Sequence, residues 1–142
     1  MEQHALAFEL ATTHLNHVGE VFGQTNTFWE NYAPETAVAG LNARPDYVGW
    51  AGLSPIAILL EDVIGVMSDW PQRRVMWDRR LQCQGHYGVQ NYPLGPDYAI
   101  DLLGDDDMIF VTTEVPFTLV LRTPELSLQK AISPGTTEIP IG

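Results

Sequence analysis

The sequence predicts an α+β chain, helical over residues 1–71 and folded as a small antiparallel β-sandwich over residues 72–142. Apolar residues in the first part recur at helical spacing, three and four apart. Beyond Pro71 the pattern changes to short segments rich in β-branched and aromatic residues, separated by Gly-Pro, an Asp run and single prolines. Several such segments in close succession suggest a sandwich.

Phe8, Ala11, Leu15, Val18 and Phe22 fall on one face of a first helix, with Gly23 as its expected stop. A second helix is expected from Ser54-Pro55, because serine caps free N–H groups and proline suits the first turn. Ile56, Leu59, Leu60, Val63 and Ile64 follow, and so little polar surface precedes Glu61 that this helix is expected to be buried on most sides. Residues 24–52 form the connection. It is long for a structureless loop and too aromatic for disorder, with Trp29, Tyr32, Tyr47 and Trp50. In the second half, RVMW, GVQNY, YAIDLL, MIFVTT, FTLVLR, LSLQKA and TEIPI read as strands. YAIDLL, MIFVTT and FTLVLR are expected to be neighbours, joined by tight turns at Gly104–Asp107 and Glu114–Pro116.

Composition narrows the function classes. The net charge is −11 and Lys130 is the single lysine, a balance that argues against nucleic acid as a partner. Arg73, Arg74, Arg79 and Arg80 flank VMW and are expected to be solvated or to pair across one strand. No apolar run approaches the roughly 20 residues of a membrane-spanning helix. The start MEQHALAFEL lacks the features of a signal peptide, so a cytoplasmic location is expected. Cys83 is the single cysteine, which excludes an intrachain disulfide and leaves an inert thiol as the expectation. His14 and His17 are three apart on the first helix but have no evident third ligand, so neither a metal nor a cofactor is expected. The run Asp105-Asp106-Asp107 lacks the spacing of a calcium loop and reads as a solvated turn.

The order WENYAPE, then NARPDYVGWAGLSPIAILLEDVIG, then a tail beginning RRVMWDRRL resembles the C-terminal end of inverting glycosidases of the mannosylglycerate hydrolase and trehalase-like kind, glycoside hydrolase family sixty-three and its relatives. The resemblance spans essentially the whole sequence and implies the last helices and active-site loop of an (α/α)6 toroid over 1–71, followed by the sandwich. It implies that Glu30 is the catalytic base. It places Trp50, with Trp29 and Tyr32, against the sugar, and Arg44 and Asp46 near its hydroxyls.

Inverting hydrolysis uses two carboxyl groups about 6.5–9.5 Å apart, one protonating the leaving oxygen and the other activating water. A base carboxylate in a cleft beside apolar walls accounts for Glu30 standing between Trp29 and Tyr32 in sequence. The resemblance puts the general acid in an earlier part of the barrel, so this chain alone is expected to be inactive. Its expected partners are an oligosaccharide or small glycoside, and an N-terminal chain or a second copy covering the apolar helix faces. The alternative is a non-catalytic carbohydrate-binding or interaction module.

Overall fold

The computed structural model describes residues 2–47, 49–80 and 85–141, with the side chains of Glu2, Trp50 and Ala51 outside the description. Cys83 lies outside the described residues. The chain divides into two compact units, Met1–Val63 and Ile64–Gly142.

In the first unit, α1 spans Glu2–Thr25. It runs through Gly23 and stops where Asn26 takes a left-handed φ of 52°, its N–H donating to the Phe22 carbonyl at 2.7 Å. Asparagine is one of the few side chains that tolerates this conformation, so it ends the helix in glycine's place. Val18 and Val21 are the fully buried apolar residues of α1, whereas Phe8, Ala11 and Leu15 are half-buried and Phe22 is 38% exposed.

The second helix, α2, spans Trp50–Ala57 and begins after Gly49 rather than at Ser54. Pro55 therefore sits inside the helix, where its missing N–H removes one backbone bond. The Ile58 N–H is shared between the carbonyls of Ser54 and Pro55, and the chain then widens into a π-helical turn over Ile58–Ile64. The expectation of an all-round buried helix is also corrected: Gly52 and Pro55 are buried, but Leu53 is 66% exposed.

Residues 26–47 form a hairpin-like excursion. Two isolated antiparallel bridges hold it, Trp29 with Pro45 and Tyr32 with Ala39. Backbone bonds from Glu30 N–H to Arg44 C=O, Gly40 N–H to Asn31 C=O and Ala33 N–H to Val38 C=O fill in the ladder. Gly40 has a steric reason: a Cβ there would lie 1.6 Å from Asn31 Oδ1.

The second unit is built from two four-stranded sheets. One has the order β1-β2-β6-β7, from Val66–Asp69, Arg74–Asp78, Phe117–Arg122 and Ser127–Ile132. The other has the order β3-β4-β5-β8, from Tyr87–Pro93, Ala99–Gly104, Met108–Thr113 and Gly135–Pro140. Alternation sorts the side chains. Val75, Trp77, Leu119 and Leu121 of the first sheet and Ile100, Leu102, Ile109 and Val111 of the second are all buried, and they form the core. Trp77 and Tyr87 meet edge-to-face across it at 6.0 Å, and the Trp77 indole N–H donates to the Ile64 carbonyl at 3.0 Å.

These elements overturn the expected terminal helices of a toroid. A toroid buries each helix between neighbours in a ring. Here the described helical content is one long helix and one short one passing into a π turn, and most of the buried apolar side chains belong to the eight strands. Two details of the sheet reading change as well. The pair β2/β6 is parallel, its ends closed by Thr118 N–H to Arg73 C=O and Arg79 N–H to Arg122 C=O. FTLVLR, which is β6, does not pair with MIFVTT, which is β5, but crosses to the other sheet. The cause is the Glu114–Pro116 connection. Thr113 Oγ1 donates to the Val115 carbonyl at 2.8 Å and accepts from its N–H at 3.2 Å, so the chain turns away from a hairpin. Strand β1 precedes Pro71, which lies in a 3-10 turn over Trp70–Gln72.

Candidate functional site

The first unit carries a cleft of about 480 Å³ whose walls come from three segments. Helix α1 contributes Leu10, Thr13, His14 and His17, one stripe at spacings of three and four. The loop contributes Glu30, Asn31, Tyr32, Ala33 and Pro34, and α2 contributes Ser54. The volume is in the range of small-molecule sites.

Loop geometry fixes the Glu30 end. The Trp29 N–H donates to Tyr32 Oη at 3.2 Å, which ties the phenol back onto its own turn. The Tyr32 ring meets the His14 ring edge-to-face, with centroids 6.4 Å apart and planes at 84°. Glu30 is half-buried, and its backbone is anchored by the Arg44 carbonyl at 2.9 Å.

Of the residues singled out from sequence, Glu30 and Tyr32 line this cleft and Trp29, Arg44 and Asp46 do not. Trp29 directs its indole N–H to Thr25 Oγ1 at 3.2 Å. Arg44 is exposed and serves Glu30 through its carbonyl, not its guanidinium. Asp46, at a φ of 57°, closes a turn by accepting from Thr27 Oγ1 at 2.7 Å. The Trp50 side chain lies outside the described residues.

His14, His17, Thr13, Asn31 and Ser54 are polar groups of the cleft that the sequence did not point to as binding residues, Ser54 being expected only as a helix cap. The spacing of His14 and His17 was visible, but their convergence with Glu30 needed the loop to fold back onto α1. Among the described residues no group of three or more His, Cys, Asp or Glu side chains is arranged to hold a metal ion.

The cleft thus combines one carboxylate, two imidazoles, an amide, two hydroxyls and a phenol ring with a small apolar wall from Leu10, Ala33 and Pro34. Such a set can exchange hydrogen bonds with a polyhydroxylated ligand while packing against one of its faces. No helix of the described residues is long and apolar enough to cross a membrane. No protein-family model, curated protein or solved structure matches the chain.

Proposed function

We propose that the Glu30 cleft is a saccharide site of glycosidase type, with Glu30 as the carboxylate that receives a proton from water in an inverting reaction. The observation that carries this reading is the convergence of Glu30, Asn31 and Tyr32 with Thr13, His14 and His17 on one cleft of sugar-accommodating size. In the resemblance the same WENY segment supplies the base. The described lining residues include no Lys or Arg, so a neutral glycoside suits the cleft better than one bearing a carboxylate.

Glu30 is the single carboxylate among the described lining residues. Inverting hydrolysis needs a second one about 6.5–9.5 Å away. The chain by itself therefore binds sugar without turning it over, and the same fact favours the second reading, a non-catalytic carbohydrate-binding module.

Isothermal titration with glucose and trehalose tests both. Saturable binding that Tyr32→Ala abolishes and Glu30→Gln preserves within a few-fold supports a sugar site, since the amide keeps the shape of the carboxylate. Absence of saturable binding at millimolar sugar refutes it. The base role is tested separately with α-glucosyl fluoride, whose leaving fluoride needs no protonation, so that a base carboxylate is enough. Turnover that Glu30→Gln removes supports the base, and turnover that survives the substitution places the base elsewhere.

A further inference from the structure

The outer face of the first sheet of the second unit has a shallow groove of about 330 Å³, lined by Met67, Ser68, Asp69, Arg74, Met76, Val120 and Arg122. Strand register explains its floor. Met67 stands opposite Met76 and Met76 opposite Val120, so the three form one apolar row across β1, β2 and β6. Arg74 lies two residues to one side of this row on β2, and Arg122 two residues to the other side on β6. At about 3.3 Å per residue, their positions are roughly 13 Å apart along the strands.

Both guanidiniums have donors to spare. Arg74 reaches Asp69 Oδ2 at 3.5 Å, at the limit of a hydrogen bond, and its side chain is 48% exposed. Arg122 approaches Asp78 at 3.9 Å without hydrogen-bonding it, and is 42% exposed. The reason is competition: Arg80 already holds both Asp78 oxygens, at 2.8 and 2.6 Å. An arginine carries five N–H donors in a fork suited to a carboxylate.

We propose that this groove binds a small anionic amphiphile, with an aliphatic chain along Met67, Met76 and Val120 and a carboxylate on Arg122. Two features commit the site to this chemistry. Methionine is a flexible, polarizable floor for an alkyl chain. The described lining carries two arginines against one carboxylate, Asp69, a local positive excess on a chain whose net charge is −11.

Octanoate is the probe, with 1-octanol and octylammonium as matched controls of different charge. The readout is the ¹³C-labelled methyl signals of the methionines, in which Met67 and Met76 report the groove and Met108 a position outside it. Octanoate should shift Met67 and Met76 saturably while Met108 stays still, and bind about tenfold more tightly than octanol, with octylammonium weakest. Arg122→Gln should erase the preference for octanoate over octanol. Because Arg122 is only half-buried and its guanidinium hydrogen-bonds no described residue, this variant should keep the wild-type circular dichroism; Arg74→Gln, read the same way, is the second variant. The proposal is overturned if the three probes bind alike, if octylammonium binds best, if Met67 and Met76 do not shift, or if both arginine variants retain the preference.

Discussion

The guanidinium of Arg79 lies 4.3 Å above the ring centroid of Tyr87, and its Nε donates to the phenol oxygen of the same residue. Arg79 is only 6% exposed. No carboxylate of the described residues pairs with it directly; it lies between Tyr87 and the Trp77 ring at 5.1 Å, with Nη2 donating to the Asp105 carbonyl at 3.0 Å and the Asp105 charge acting from farther off. Cation–π contact and neutral acceptors take the place of a direct ion pair here. Tyr87→Phe keeps the ring and loses the acceptor. It should destabilise the chain by about 1.5–3 kcal/mol, the range for hydrogen bonds to charged groups, measured by urea unfolding. A change under a few tenths would show that the ring alone carries the contact.

Gly104 makes room for the same guanidinium. A Cβ there would lie 2.9 Å from Arg79 Nη1 and 2.5 Å from Ile109 Cδ1. Gly104→Ala should therefore lower the denaturant midpoint by the equivalent of about 1–3 kcal/mol, as overpacking does in a filled core. In an Arg79→Met background much of that penalty should vanish, because the flexible thioether can move aside. An equal penalty in both backgrounds would place the strain on Ile109.

Acid sensitivity should trace to Asp78. Hydrogen bonds from the Arg80 side chain hold its carboxyl below the usual aspartate value, against a smaller opposing effect of burial. A carboxylate whose folded value is depressed contributes stability that is fully present above the unfolded value, near 3.9, and is lost as pH falls through the folded one. Thermal midpoints of the wild type should fall across that acid window, and those of Asp78→Asn should fall less steeply. Parallel curves for the two proteins would assign the acid loss to other groups.

The first unit should make the chain self-associate or take a partner. Leu6, Leu10 and Leu53 are 56%, 61% and 66% exposed. Burying one such side chain is worth about 1.5–3 kcal/mol. Light scattering behind size exclusion in moderate salt should show species larger than the monomer. The double substitution Leu6→Glu with Leu10→Glu should shift them toward it. A wild-type chain that runs as a sharp monomer and binds no hydrophobic dye would refute the expectation.

What could be read in advance follows from how local each cause is. The change at Pro71 from spacings of three and four to short β-branched runs is a property of neighbours in sequence, and so is the solvated Asp turn. In that turn Asp105 Oδ1 accepts from the N–H groups of Asp107 and Met108 at 2.9 and 2.7 Å. Val66–Asp69 escaped because they are four residues caught between the expected helix stop at Gly65 and the expected boundary at Pro71. Only their pairing with β2 makes them a strand.

The sequence by itself determined that helical spacing gives way to strands, though not where, since β1 precedes Pro71; it also determined the alternation that fills the sandwich, and Glu30 with Tyr32 as polar and aromatic neighbours in an unusual loop. All of these rest on periodicity or adjacency, which act within a few residues. Tertiary structure alone decided that β6 leaves β5 to lie parallel to β2, that Trp29 turns from the cleft toward Thr25, and that His14, His17 and Ser54 join Glu30. Those outcomes depend on which backbone groups pair across long stretches of chain. A residue's immediate neighbours do not encode such pairings, because their free energy is gained only when distant segments exchange hydrogen bonds and bury surface together.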